Sequence, residues 1–485
     1  MRIRFANWQP DLQGLTNPGQ ADTKNVVPSG GGGYSPVYDL SAVSTTGLDD
    51  KALGAFSGQD STDTTQTFAG DASKLYLLSG GAFGDVSKSG GYSASASERW
   101  EFVQFGLRVI ATQISDPVQY YTMGSSSAFD DLAGSPPQAR HIAVVRDFVV
   151  LGNTTNSPNE IAWSGFNNSA QWTPGTNQSD TQTLQDFGPV QKIIGGEAGL
   201  IFQSRAITRM TYVGPPLIFQ FDTIEIDRGL VAPGAICPVG NACFYKALDG
   251  FYSFDPVNGS QPIGNAKFDL WFAAHIEPGT EHLISAAIDP QNKLAVFSFV
   301  STDATDSTSP DTLLFYNWTT KEATYAKVAH EFIYRALTEG VTLEQLSAIY
   351  SNIETVPDSF DSSQWTGGSS YLAGFTTGHQ LAGFSGSTLA ATMETSDQEP
   401  IPGMRSLVTN IRPLCDTSSA MATVRSRERF ADTMADTNTS SMQSNGDIPL
   451  LASGRFHRAS ITIPAGTVWT YATGLDMDAQ EDGEM

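Results

Sequence analysis

The side chains with the widest chemical reach are few and scattered. Histidine occurs at His141, His275, His282, His330, His379 and His457, and cysteine at Cys237, Cys243 and Cys415. A zinc site draws its three or four ligands from closely spaced Cys, His and carboxylate groups. His275 and His282 stand seven apart with no carboxylate or cysteine in ligand spacing, so they read as structural histidines. The cysteines are odd in number and outside any metal motif. They read as small buried hydrophobes, with a Cys237 to Cys243 disulfide as the competing reading. Paired carboxylates serve glycoside hydrolysis when they converge in a cleft, but Asp49, Asp50, Asp130 and Asp131 are doublets in polar surroundings that suit solvated turns. The run DSFDSSQ at 358–364 offers oxygen ligands without the EF-hand pattern. No glycine-rich phosphate loop precedes a helix, and neither G-x-S-x-G nor H-E-x-x-H occurs. The expectation is a protein that is not an enzyme and takes no metal or cofactor.

One cationic cluster invites a different role. The run VRSRERF puts Arg425, Arg427 and Arg429 on one face of a strand and Glu428 on the other. Such a row suits an acidic surface of a neighbouring subunit better than solvent alone, and DNA least. The chain as a whole argues against DNA, since 51 Asp and Glu face 27 Lys and Arg, a formal net charge of -24. A phosphate polymer is repelled by that balance, so stable nucleic-acid binding is disfavoured while transient passage is not.

The elements that must carry these residues are strands. Over 485 residues, 40% are hydrophobic, 16% are charged, and 46 are glycine, which reads as β-rich globular structure in more than one domain. The stretch ACFYKALDGFYSFD, 242–255, is the sharpest local signal: two aromatic runs around an Asp-Gly pair predict a hairpin. Similar hairpins recur, with corresponding positions at Leu107, Phe148, Leu200, Cys243, Leu294 and Leu372, so the successive steps are 41, 52, 43, 51 and 78. Paired short strands at a step of about 40 to 50 residues predict a mainly β fold, a β-propeller of six or seven blades, over 51–387; stacked sandwiches are the alternative. The long last step is assigned to a helical insertion at 326–367, where TLEQLSAIYSNIETV has a capping-box start and Leu343, Leu346, Ile349 and Ile353 at helical spacing. Those four side chains are a candidate gate or assembly contact. Residues 1–50, rich in Gly and Pro, are expected as an extended arm, part of which could complete a blade. Residues 388–475 are expected as a C-terminal sandwich-like β domain, and 476–485 as a solvated acidic tail. The start, MRIRFANWQP, lacks the apolar core of a signal peptide and no run is long enough to span a bilayer, so the chain is expected in the cytoplasm.

Several ordered segments carry a family likeness: QWTPGTNQSD (171–180), GGEAGLIFQSRAITRMTYVGPPLIFQFD (195–222), GLVAPGA (229–235), DGFYSFD with PIG (249–264) and TLEQLSAIYSNIETVPDSFDSSQWTGG (342–368). Together they resemble the tail-nozzle and tail-hub proteins of short-tailed double-stranded DNA bacteriophages, the class that includes packaged-DNA stabilisation proteins. The resemblance spans most of 5–475 and includes no catalytic signature. It implies a structural virion protein assembled in the host cytoplasm. It further implies a homohexameric ring below the portal-adaptor complex that retains packaged DNA and passes it on ejection, with a tail fibre or tailspike, or a needle or plug, as neighbours. A tail-associated propeller that binds or cleaves carbohydrate is the rival expectation.

Overall fold

Cys243 to Phe254, Phe244 to Ser253, Tyr245 to Tyr252 and Lys246 to Phe251 are cross-strand partners, so ACFYKALDGFYSFD is a hairpin in the computed structural model. Its turn differs in detail from the expectation. Neither Asp249 nor Gly250 has a positive φ; a Cβ on Gly250 would instead meet the Asp269 carboxylate at 2.6 Å. Alternation sends Tyr245 and Phe254 against Phe202 on one side, at 5.4 and 6.0 Å between ring centres. Phe251 goes against Phe297 on the other side, at 5.0 Å. A strand pair buried on both faces this way is a plank between two others.

The structure describes residues 1–62, 64–340, 352 and 367–483. Within them the plank is the fifth of seven four-stranded antiparallel blades. Their innermost strands are Gly54–Gln59, Glu101–Phe105, Ala139–Val145, Val190–Ile194, Ile236–Val239, Ser285–Asp289 and Phe332–Leu337. Neighbouring blades share apolar cores all the way round, for example Phe68 with Tyr121 between blades 1 and 2 and Tyr76 with Phe375 between blades 1 and 7. The chain is therefore a seven-bladed β-propeller with an attached β-sandwich.

Blade 7 is closed by a strand from far upstream. Its outermost strand is Tyr38–Ala42, paired with Leu381–Thr388 through Ala42 to Ala382 and Leu40 to Phe384. Residues 1–50 are thus not an extended arm. Arg2–Arg4, Gln20–Lys24, Val26–Pro28 and Tyr34–Pro36 are strands of the sandwich, because Ile3, Phe5, Val26 and Tyr34 supply apolar surface to its core beside Val408, Ile461 and Leu475. The expected acidic tail likewise begins inside a strand, Ala472–Glu481, whose Met477 is fully buried. One sandwich sheet runs into blade 6, where Lys24 pairs in parallel with Tyr325.

The expected insertion at 326–367 is shorter at its start. Residues 326–327 end the strand Glu322–Lys327, and Phe332–Leu337 is the innermost strand of blade 7. Leu343, Leu346, Ile349 and Ile353 lie outside the described residues. A short helix with no periodic signal in the sequence does occur, at Asp269–His275.

Candidate functional site

The innermost strands of three successive blades bring three titratable groups together. Glu101 opens the inner strand of blade 2, His141 lies on that of blade 3, and Lys192 on that of blade 4. The Glu101 carboxylate accepts from Lys192 Nζ at 2.7 Å and lies 2.9 Å from His141 Nδ1. Its second oxygen accepts the Ile142 N–H at 3.2 Å. Burial alone would raise the Glu101 carboxyl, but Lys192 and His141 outweigh it and draw the pKa down to about 2. His141 is buried with Nε2 unpartnered. No hydroxyl or thiol hydrogen-bonds to this histidine among the described residues, so the cluster has a base and its orienter without a nucleophile. It works as an electrostatic staple across three blades.

Two residues before Glu101, Arg99 reaches across the ring. Its Nη2 donates to the Leu283 carbonyl at 3.0 Å, ahead of blade 6, and its guanidinium lies 5.2 Å from the ring centre of Phe332 on blade 7. Burial lowers its pKa to about 10. Lys51 stands close enough that its own pKa is depressed, first by burial and then by Arg99. At the blade 7 to blade 1 seam, the buried Glu331 carboxylate lies 2.6 Å from His379 Nδ1 and accepts the Ala52 N–H at 3.1 Å. This end of the hub is crossed by side chains and their cross-ring bonds.

The histidines named from sequence are dispersed. His330 is buried, with Nε2 2.6 Å from Ser298 Oγ, and burial lowers its pKa to about 4. His457 lies 3.0 Å from Ser406 Oγ. His275 stacks on Trp271, while His282 is exposed. Among the described residues no group of three or more His, Cys, Asp and Glu is placed to hold a metal. Cys237, Cys243 and Cys415 are free thiols, and burial raises the pKa of the first two. Asp49 pairs with Lys74 at 2.5 Å and Asp131 with Lys88 at 2.9 Å. Residues 358–364 lie outside the described residues.

The arginine row is divided by the sandwich. Arg427 Nη2 and Arg458 Nε each donate to Asp397 at 2.7 Å, and the Asp397 side chain is fully buried. Arg425 pairs with Glu394 at 3.0 Å and with Asp436 at 2.9 Å. Only Arg429 of the three points clear, with its side chain 84% exposed. Sequence reading placed the row on a strand face but had no signal for Asp397 and Glu394 behind it.

A cavity of about 1130 Å³ opens beside blade 7 and is lined by Tyr38, Tyr371, Phe384, Leu294, Asp289 and Glu339, among others. Burial raises the Glu339 carboxyl. No helix among the described residues is long and apolar enough to cross a membrane.

No family model matches this chain, and no curated protein matches it. Solved structures do. The extracellular domain of a one-component system from Bacteroides thetaiotaomicron aligns with a TM-score of 0.42 and 9% identity, over 71% of this chain and 40% of its own. The Neurospora crassa Pan2 WD40 domain aligns with a TM-score of 0.40 and 9% identity, over 71% and 95%. A chain of a mitotic checkpoint complex gives 0.38 and 10%, over 72% and 94%. At these values the likenesses carry no argument about function, and the fold rests on the blades' own pairing.

Proposed function

We propose that this chain is a structural, non-enzymatic virion protein: a subunit of a bacteriophage tail nozzle or hub, forming a homohexameric ring below the portal-adaptor complex. In this reading the ring extends the DNA channel, retains the packaged genome and lets it pass on ejection, with a tail fibre or tailspike, or a needle or plug, attached nearby. The observation that carries it is how the charge is spent. More than half of the 27 cationic side chains sit within 4.0 Å of a carboxylate, and with 51 Asp and Glu in the chain exposed acids such as Asp130, Asp180 and Asp186 have no such cation among the described residues. An acidic wall lets a phosphate polymer slide without lodging. The crossed hub adds a constraint: with Arg99 spanning it, the path for DNA runs along the outer surfaces of assembled copies, not through one propeller. The ordered segments that resemble tail-hub proteins support the same reading.

The test is direct. Negative-stain images of the purified protein are expected to show six-fold rings, and duplex DNA is expected to bind negligibly at physiological salt. Tight, salt-sensitive DNA binding, or particles without rotational symmetry, rejects the reading. The cavity beside blade 7, with Tyr38 and Tyr371 in its wall, favours one alternative, a carbohydrate-binding propeller. Retention on host surface polysaccharide would select that alternative.

A further inference from the structure

Two surfaces remain once the hub and the buried ion pairs are accounted for. The first is the outer hairpin of blade 4, Ala206–Gly214 and Ile218–Ile226, nine residues in each strand. The outermost strands of blades 1, 2, 3 and 5 have four, two, four and four residues. Ile218–Ile226 ends its sheet, so half its backbone groups lack a strand partner. Soluble proteins blunt such edges with charge, Pro, bulges or cover; IFQFDTIEI has no Lys or Pro, and its protection is limited to Asp222, Glu225 and two register shifts against the neighbouring strand. It shows Ile226 at 57% and Ile224 at 37% exposure, with Leu217 at 72% in the turn before it. Asp222, Glu225 and Asp227 are interleaved with them; Asp222 lies 3.7 Å from Arg209 and Glu225 2.7 Å from Arg228, while Asp227 has no cation within 4.0 Å among the described residues.

The second surface is the turn after Met421–Arg427. Phe430, 49% exposed, packs on Phe456 with 4.5 Å between ring centres and the rings tilted by 37°. Arg429 and Arg455 flank the pair. The nearest acid to Arg429 is Asp432 at 4.0 Å, and the exposed Arg455 has no ion pair within 4.0 Å among the described residues.

We propose that these two surfaces bind each other between copies of this chain, head to tail, the Arg429–Phe430 patch of one copy seating on the blade 4 hairpin of the next. The inference rests on the ring reading above and names its contact. A heterologous interface needs two different patches on one chain. One here offers acid and isoleucine, the other arginine and phenylalanine, types enriched at interface cores. Copies carrying -24 repel one another, so approach is favoured where uncovered cations meet acid.

Sedimentation of the full-length chain tests this. Reversing the patch with R429E and R455E is expected to raise the concentration for half-assembly about 100-fold, and D222R with I226R on the hairpin is expected to do the same. All four changes on one chain are expected to restore assembly, with thermal melts unchanged throughout. Wild-type rings indifferent to R429E and R455E, or a quadruple variant that folds but stays apart, overturn the contact and leave the ring. A wild-type chain that remains monomeric overturns both. Duplex DNA binding by the wild type that R429E and R455E abolish assigns the patch to nucleic acid and overturns the proposal.

Discussion

The hub and the sandwich both bury ion clusters with more cations than acids, built from different cations. At the hub one acid, Glu101, serves two bases from two further blades, and Arg99 nearby has no carboxylate within 4.0 Å among the described residues. In the sandwich two acids, Glu394 and Asp397, serve three arginines. The hub uses lysine and histidine, each of which spends its contact on one carboxylate oxygen. The sandwich uses only arginine, whose planar fork spans two acids at once: Arg458 reaches Asp397 at 2.7 Å and Glu394 at 3.7 Å. No lysine occurs after Lys327. A cluster joining separate blades is held by single contacts to one shared carboxylate, whereas one packed within a single sheet is built as a network. In a network, removing one member strands several.

That difference orders the expected losses. Asp397→Ala leaves Arg427 and Arg458 without their common acceptor and is expected to cost about 4–5 kcal/mol in chemical denaturation. A loss below ~1 kcal/mol would show that the arginines find solvent and that no network exists. Glu101→Gln is expected to cost less, about 3 kcal/mol, because Lys192 keeps 28% of its side chain exposed and can turn outward. If it costs more than Asp397→Ala, the comparison is reversed.

Acid titration separates the regions further. Glu101 is held at about 2 against an ordinary 4.5, so its contribution is complete above the ordinary value and is lost as pH falls from there towards 2. His330 is held at about 4 against 6.5. The folded state disfavours its protonation, so its share, about 3 kcal/mol, is complete above 6.5 and lost between 6.5 and 4. Unfolding free energy is therefore expected to fall across both ranges, and Glu101→Gln to reduce the loss in the lower one, which it shares with depressed carboxyls such as Asp311 and Asp131, while leaving the upper one unchanged. A fall confined to one range in the wild type would mean that one of the two groups is not held as described. The smallest effect belongs to the periphery: Ile226→Ser is expected to change stability by less than ~0.5 kcal/mol, and a larger loss would mean that the hairpin edge is structural.

What the sequence made legible is what is local. The 242–255 hairpin and its repeats follow from alternation and turn residues, and they lead to a propeller without any long-range contact being known. That part of 1–50 could complete a blade was open in the sequence and is what Tyr38–Ala42 does, but the strand it joins and the sandwich strands within 1–50 were illegible, because pairings such as Tyr38 with Thr388 or Lys24 with Thr392 leave no period to read. The Asp269–His275 helix is too short for a period. The hub cluster had a signal that went unused. Glu101, His141 and Lys192 are spaced by 40 and 51, close to the 41 and 52 steps between the blades that carry them, so charged residues recurring at the blade period mark inner-strand positions. Asp397 had no such mark, since its partners come from strands of unequal spacing.

Blade 7 also sets a clock. The strand Tyr38–Ala42 is made long before its partner at Leu381–Thr388. At about 5–20 residues per second the ribosome needs roughly twenty to seventy seconds to cover the interval. By the end of that time six blades are made while the strand that will close the seventh has waited unpaired. An early-made segment that must stay single is a natural client for a holding chaperone.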